Sequence, residues 1–155
     1  MGPNVLYNRS LDLLNGDGVD EDPKESFKLN AEAAEYDHHD AVLAMGWYYL
    51  NGVGVGRDLE KAKSWYIKSA KQKDSRAMFS LGSIAYKERD GSEALRWFKR
   101  AVDHRHYRSI YWIGKLYWHG RGVREDKKRA MRLFHEAASH KVKEAQRTLK
   151  WLNRK

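Results

Sequence analysis

The sequence predicts an all-α fold, with about nine helices in four pairs plus a C-terminal capping helix, stacked as a right-handed α-solenoid. Three observations carry this. A glycine-rich stretch recurs, as NGDGVDED at 15–22, NGVGVGRD at 51–58 and HGRGVRED at 119–126. Its Gly-Val pairs lie 36 and then 68 residues apart, and 68 divides into 32 and 36 if the shorter KERD at 87–90 is the same connector. Two further tracks keep that register: Val5, Ala41, Ala77, Ser109 and Ala145 upstream, and Ser26, Ala62, Ala94 and Ala130 downstream. An aspartate also closes every connector, at Asp22, Asp58, Asp90 and Asp126. Self-similarity at this period marks units that bury their apolar faces only by stacking on one another. The units are expected at about 4–38, 39–74, 75–106 and 107–142, with the capping helix at 142–153, all within one domain of 1–155.

The first helix of each unit follows a small-x-x-x-apolar-Gly pattern: Ala41, Met45 and Gly46, then Ala77, Leu81 and Gly82, then Ser109, Ile113 and Gly114. Small and apolar residues at this spacing mark one buried helical face. A glycine inside a helix costs up to about 1 kcal/mol relative to alanine, so its recurrence implies a close helix–helix approach at that point. The helix then ends at Gly16, Gly52 or Gly120, residues suited to the left-handed backbone of a helix terminus. Val19, Val55 and Val123 are expected to plug the space between the paired helices.

The second helix starts at the recurring aspartate, whose carboxylate can accept an orphan backbone N–H. Pro23 sits at the first helical position, where its missing N–H does no harm. Asp90 and Glu93 have capping-box spacing. The pairs Trp65-Tyr66, Trp97-Phe98 and Leu133-Phe134 occupy matched slots and are expected in the core. The last segment, KVKEAQRTLKWLNRK, reads as one helix whose polar face caps the final unit.

Composition limits the function classes. With no cysteine, neither a disulfide framework, a thiolate zinc site nor a cysteine nucleophile is available. No basic stretch followed by an apolar run opens the chain, and no window has the apolar length to span a bilayer. A cytoplasmic monomer is therefore expected. The net charge of +9 is uneven. Residues 1–77 carry 10 Lys and Arg against 13 Asp and Glu, while residues 78–155 carry 20 against 8. The second half therefore suits an acidic partner.

The glycine loop does not read as a phosphate cradle, because no strand-like alternation precedes it and it occurs three times. No HExxH motif or nucleophile elbow is present, and four aspartates in one register read as caps rather than catalysts. His38, His39, His104 and His106 lie in short connections, and His135 and His140 are off an ideal ligand pair, so metal is not expected. No cofactor is expected either.

These residues resemble the Sel-one-like repeat family, a branch of the tetratricopeptide-like α-solenoids. Residues 41–70 match its pattern through Ala41, Met45, Gly46, Tyr49, Gly52, Gly54, Val55, Asp58, Lys61, Ala62, Trp65, Tyr66 and Ala70. Residues 109–138 match through Gly114, Tyr117, Gly120, Gly122, Val123 and Ala130. The first unit departs, with Arg9-Ser10 for Leu-Gly and Leu13 for Tyr. The third lacks the Gly-Val loop.

The resemblance implies a non-enzymatic adaptor or scaffold that binds a partner peptide or helix on a concave wall formed mainly by the first helices. Mapped onto this chain, the wall comprises Leu43, Trp47 and Leu50, then Phe79, Ser83 and Tyr86, then Tyr111, Lys115 and Trp118, with Trp151 in the last helix. Arg108, Trp112 and His119 lie nearby. Tyr7, Leu43, Phe79 and Tyr111 share one register, so they serve either as inter-repeat core or as ligand wall. Trp47 and Trp118 stand at positions that vary between units, which favours a surface role.

Two other readings compete. The runs RWFKRAVDHRHYR (96–108) and RGVREDKKRAMR (121–132) could neutralise phosphates while aromatic residues stack on bases. Trp97 and Phe98 already have core slots, however, so nucleic acid is not the expected partner. A protein that neutralises an enzyme or toxin, as immunity proteins do, is the other alternative.

Overall fold

Residues 1–155, all described by a computed structural model, form nine α-helices and no strand. In chain order these are α1 (Pro3–Asn15), α2 (Pro23–Glu35), α3 (His39–Asn51), α4 (Leu59–Lys71), α5 (Ser75–Lys87), α6 (Gly91–Asp103), α7 (Arg108–His119), α8 (Lys127–Ser139) and α9 (Lys143–Asn153). The expected four pairs and a last single helix are present.

The boundaries follow from backbone groups that need partners. Asp22, Asp58, Asp90 and Asp126 each accept the backbone N–H three residues on, from Glu25, Lys61, Glu93 and Arg129, at 3.1, 3.0, 3.1 and 2.9 Å. They therefore start α2, α4, α6 and α8 as caps. Gly16, Gly52 and Gly120 end α1, α3 and α7 with φ of 72°, 64° and 63°.

Within a pair, the helix-internal glycine is a hole filled by a ring. A Cβ on Gly46 would lie 2.6 Å from the Tyr66 ring, one on Gly82 2.6 Å from Phe98, and one on Gly114 2.7 Å from Phe134. All three rings are buried. Burying a side chain of this size stabilises the fold by about 1.5–3 kcal/mol, which more than offsets the helix cost of the glycine. The first pair fills the same two slots differently. Ser10 replaces the glycine and Asn30 the ring, and both are fully buried. Ser26 donates to the Ser10 carbonyl at 2.6 Å, and Asn30 donates to the Ala41 carbonyl at 3.0 Å. Where the other pairs have a ring, Asn30 thus bonds across to α3, and a Ser26–Ser10 hydrogen bond joins α1 to α2.

The chain divides into two compact units, Met1–Ala77 and Met78–Lys155. The first is centred on Leu6, Leu29, Ala33, Val42 and Met45. The second is centred on Phe98, Ile110, Leu116, Phe134 and Leu149, with Tyr86, Trp112, Trp118 and Leu152 packed against it. No helix is long and apolar enough to cross a membrane.

Two expectations need correcting. Val19 does not plug a gap: it is exposed. Val55 is half-buried, and Val123 packs on the second unit's core. The leading residues of the aromatic pairs, Trp65, Trp97 and Leu133, are half-buried rather than core. Trp97 uses its edge and face locally: its indole N–H donates to Glu93 at 2.9 Å, and the Arg100 guanidinium lies 4.7 Å from the ring centre.

Candidate functional site

The surface best suited to binding lies in the second unit, where α7, α8 and α9 meet. Helical spacing puts Lys115, Trp118 and His119 on one side of the end of α7, and Arg147, Thr148, Trp151 and Leu152 on α9. With Phe134 of α8 they line a pocket of about 410 Å³. Trp118 is half-buried and sits 6.0 Å from the Phe134 ring, while Trp151 is 55 % exposed. The rings therefore form an apolar floor, and Lys115 and Arg147 supply positive charge at its edge. Lys127 and Lys155 lie over the faces of Trp118 and Trp151, at 5.2 and 4.3 Å from the ring centres.

A second recess of about 460 Å³ adjoins it through the shared residue His119. Tyr86, Lys87, Arg89 and Arg121 complete its walls. Arg121 is held in place twice. It donates to the Tyr86 carbonyl at 3.0 Å, and its guanidinium carbon lies 4.1 Å from the centre of the Tyr86 ring. Burial, together with the positive fields of Lys115 and Arg121, holds the His119 imidazole below its ordinary value of 6.5, against a smaller opposing effect of Glu125.

The residues assigned to the wall from the sequence separate into groups. Lys115, Trp118 and Trp151 come together in the apolar pocket, and Tyr86 lines the recess beside it. Tyr111 is corrected: it is 8 % exposed, its ring lies 5.5 Å from Phe134, and its hydroxyl bonds Thr148 at 3.1 Å. Its register marks core, because α9 covers it. Phe79 is half-buried between His106 (4.6 Å, stacked) and Phe98 (5.8 Å), with Arg108 over its face at 5.1 Å. Arg108 is also engaged by Glu144 of α9. Ser83 is half-buried on α5. Trp47 and Leu50 belong to the first unit. Trp47 is 40 % exposed and lies edge-on to Tyr48, and Leu50 is half-buried.

Sequence reasoning placed none of Arg121, Arg147, Lys87 and Arg89 in the wall, and Arg121 entered only as the first residue of the basic run 121–132. One signal was available for Arg121: it stands between the two connector glycines, where the other loops carry Asp17 and Val53. A single cation at a repeat-variable position is a hint of surface chemistry. Arg147, one turn before Trp151, carries no such mark.

Comparison with known proteins agrees with the architecture. Residues 6–36, 39–74, 75–106 and 108–142 match the Sel1 repeat. The fold is similar to that of a Sel1 repeat protein from Oxalobacter formigenes, at 30 % identity and a TM-score of 0.86, over 94 % of this chain and 61 % of that one. It is also similar to c5321, a protective antigen present in uropathogenic Escherichia coli strains and displaying an SLR fold. There the identity is 27 % and the TM-score 0.84, over 97 % of this chain and 33 % of that one. Among curated proteins, chitin synthase regulatory factor 2 of Schizosaccharomyces pombe is 26 % identical over 136 residues, 79 % of this chain and 27 % of that protein. The chitin synthase regulator SKT5 of Saccharomyces cerevisiae is 35 % identical over 75 residues, 48 % of this chain and 10 % of that protein. This chain therefore spans about a quarter or less of these curated relatives. All four matched segments coincide with a capped helix pair, and three of those pairs carry the glycine hole filled by a ring: the chain belongs to the Sel1 repeat family.

Proposed function

We propose that this chain is a non-enzymatic adaptor or scaffold that binds an acidic segment of another protein, through the face of the second unit formed by the ends of α7 and α9. Sel1 repeat proteins generally mediate protein–protein interaction, and two of the relatives carry the name of regulators. One observation carries the reading for this chain: exposed and half-exposed tryptophans line a pocket edged by Lys115 and Arg147, in a unit that carries 20 basic against 8 acidic residues. Aromatic anchors within a polar rim are the arrangement from which protein interfaces draw most of their affinity. The uneven charge adds steering of an acidic partner. Trp47 and Leu50 of the first unit, with Phe79, Ser83 and Arg108 of the second, are proposed as accessory contacts. A cysteine-free chain suits the reducing cytoplasm, and a monomer is proposed.

The experiment is capture of partners on the immobilised full chain, identified by mass spectrometry and repeated with Trp118→Ala/Lys115→Ala. The expected result is loss of a specific partner in the double variant with unchanged helical circular dichroism. A partner retained at full affinity by the double variant refutes this placement of the site.

A further inference from the structure

The apolar pocket and the cationic recess share His119 as a common wall. Their chemistries differ. One offers Trp118, Phe134, Trp151 and Leu152; the other offers Lys87, Arg89 and Arg121. We infer that together they form one two-part site for an acidic peptide segment, seating a bulky aromatic side chain in the pocket and a near-neighbour carboxylate in the recess. This rests on the adaptor reading above and specifies the ligand.

The size of the pocket limits what enters it. At about 410 Å³ it lies near the small end of the range of ligand sites, about 300–1,000 Å³, and suits one large side chain rather than the face of a helix. Its walls favour an aromatic ring with at most one hydrogen-bonding edge. The Thr148 hydroxyl bonds Tyr111, leaving the floor aromatic and aliphatic. A nucleic-acid base would bring polar edges to a surface with few partners for them.

The recess is prepared for a carboxylate. Arg121 spends one N–H on the Tyr86 carbonyl and rests on the Tyr86 ring. That fixes the plane of its guanidinium and leaves other donors for a two-pronged contact. Lys87, Arg89 and Arg121 form no ion pair in this structure, whereas Arg108, nearer the start of α7, is already engaged by Glu144. Charge complementarity therefore selects an anion for the recess, and the shared His119 wall requires the two ligand groups to be close in the chain that carries them.

The test uses the full chain and an N-acetylated, C-amidated peptide Glu-Glu-Trp-Glu-Glu, with isothermal titration calorimetry. Two companion peptides replace Trp by Ala and every Glu by Gln. Each replacement is expected to weaken binding at least about tenfold, the loss typical of a hot-spot contact. Trp151→Ala should weaken the parent peptide at least about fivefold and leave the Ala peptide unaffected. Lys87→Gln/Arg89→Gln, both changes at exposed positions, should weaken the parent and leave the Gln peptide unaffected. Arg121→Gln should follow the same pattern. No binding at millimolar peptide, equal affinity for all three peptides, or effects of the variants that ignore the peptide change would each overturn the two-part site. So would an oligo(dT) strand that displaces the peptide and binds more tightly at physiological salt. If the peptides fail while the Trp118→Ala/Lys115→Ala variant still loses its captured partner, the adaptor reading stands and only the two-part site falls.

Discussion

Replacing Gly82 by alanine sets two effects against each other, and the structure decides between them. Alanine favours a helix over glycine by about 1 kcal/mol, so helix propensity alone says that Gly82→Ala stabilises the protein. The new Cβ, however, would lie 2.6 Å from two carbons of the Phe98 ring. Carbon atoms pack at about 3.5–4.0 Å, so the ring would have to retreat by about 1 Å. It has little room to do so. Phe98 is fully buried, with Phe79 at 5.8 Å and Trp112 at 6.4 Å between ring centres. Overpacking of this kind costs about 1–3 kcal/mol, and a confined ring belongs in the upper half of that range. The net expectation is destabilisation by about 1–2 kcal/mol, or a fall in Tm of about 2–8 °C for a chain of this length. Urea unfolding followed by circular dichroism measures it. Gly56→Ala is the control, since a Cβ there meets nothing within 4 Å, and it should change stability by less than about 0.5 kcal/mol. Adding Phe98→Leu should make the double variant less destabilised than the sum of the singles, by at least about 0.5 kcal/mol. A Gly82→Ala protein more stable than the parent would refute the hole-and-ring account of the helix pair.

Two further outcomes follow from the caps and ion pairs. Asp126→Ala should lose about 1 kcal/mol, because the Arg129 N–H at 2.9 Å loses its acceptor, while Asp126→Asn should retain most of it; equal loss in both variants would mean that charge, not capping, matters there. Burial acts to raise the Asp74 carboxyl, but hydrogen bonds from the Arg76 side chain and backbone outweigh it and hold the group below its ordinary value of 3.8. Its contribution is therefore present above the unfolded value and lost as pH falls through the lower folded one. Urea midpoints between about pH 5 and pH 2 should fall less steeply in Asp74→Asn, and parallel curves for the two proteins would contradict this.

Much of the fold was legible because repetition multiplies weak signals. One aspartate before a helix is a modest hint of a cap, but four in one register, each accepting the backbone N–H three residues on, are a pattern. The helix-internal glycines were readable for the same reason. Features that repeat in conformation but not in residue type escaped. Asp37, Lys73, Arg105 and Lys141 hold one slot in the turn after each second helix, with φ of 55°, 65°, 66° and 64°. Sequence cues for this backbone are glycine and asparagine, and none of the four is either. The candidate site was partly legible. Register separated Trp118 from the repeat consensus, yet Tyr111 shows that register alone cannot tell a wall from a core. Whether a first-helix ring is covered depends on what the following helix brings, and here Thr148 of α9 reaches it. The recess was harder still, because Tyr86 and Arg121 meet across two helices and a connector.

The repeated connector glycine is explained by its neighbours rather than by any ligand. In the first unit a Cβ on Gly54 would lie 2.0 Å from the Pro23 carbonyl oxygen, at the start of α2. In the second unit a Cβ on Gly122 would lie 2.2 Å from the Gly91 carbonyl carbon, at the start of α6. The second connector glycine is thus the point where one repeat's loop touches the backbone of the preceding repeat's second helix. Any side chain there would push the repeats apart. Gly18 occupies the same slot, but a Cβ on it would meet nothing within 4 Å; its φ of 73° is the only demand on it. The third repeat breaks the loop pattern, its connector reduced to KERD, yet it contributes Gly91 to the same contact from the other side. What recurs in each of the two units is therefore a backbone-to-backbone spacing, set by the second connector glycine. That spacing brings Arg121, the residue just before Gly122, against Tyr86 of the preceding repeat. The packing rule of the array thereby sets the geometry of the cationic recess.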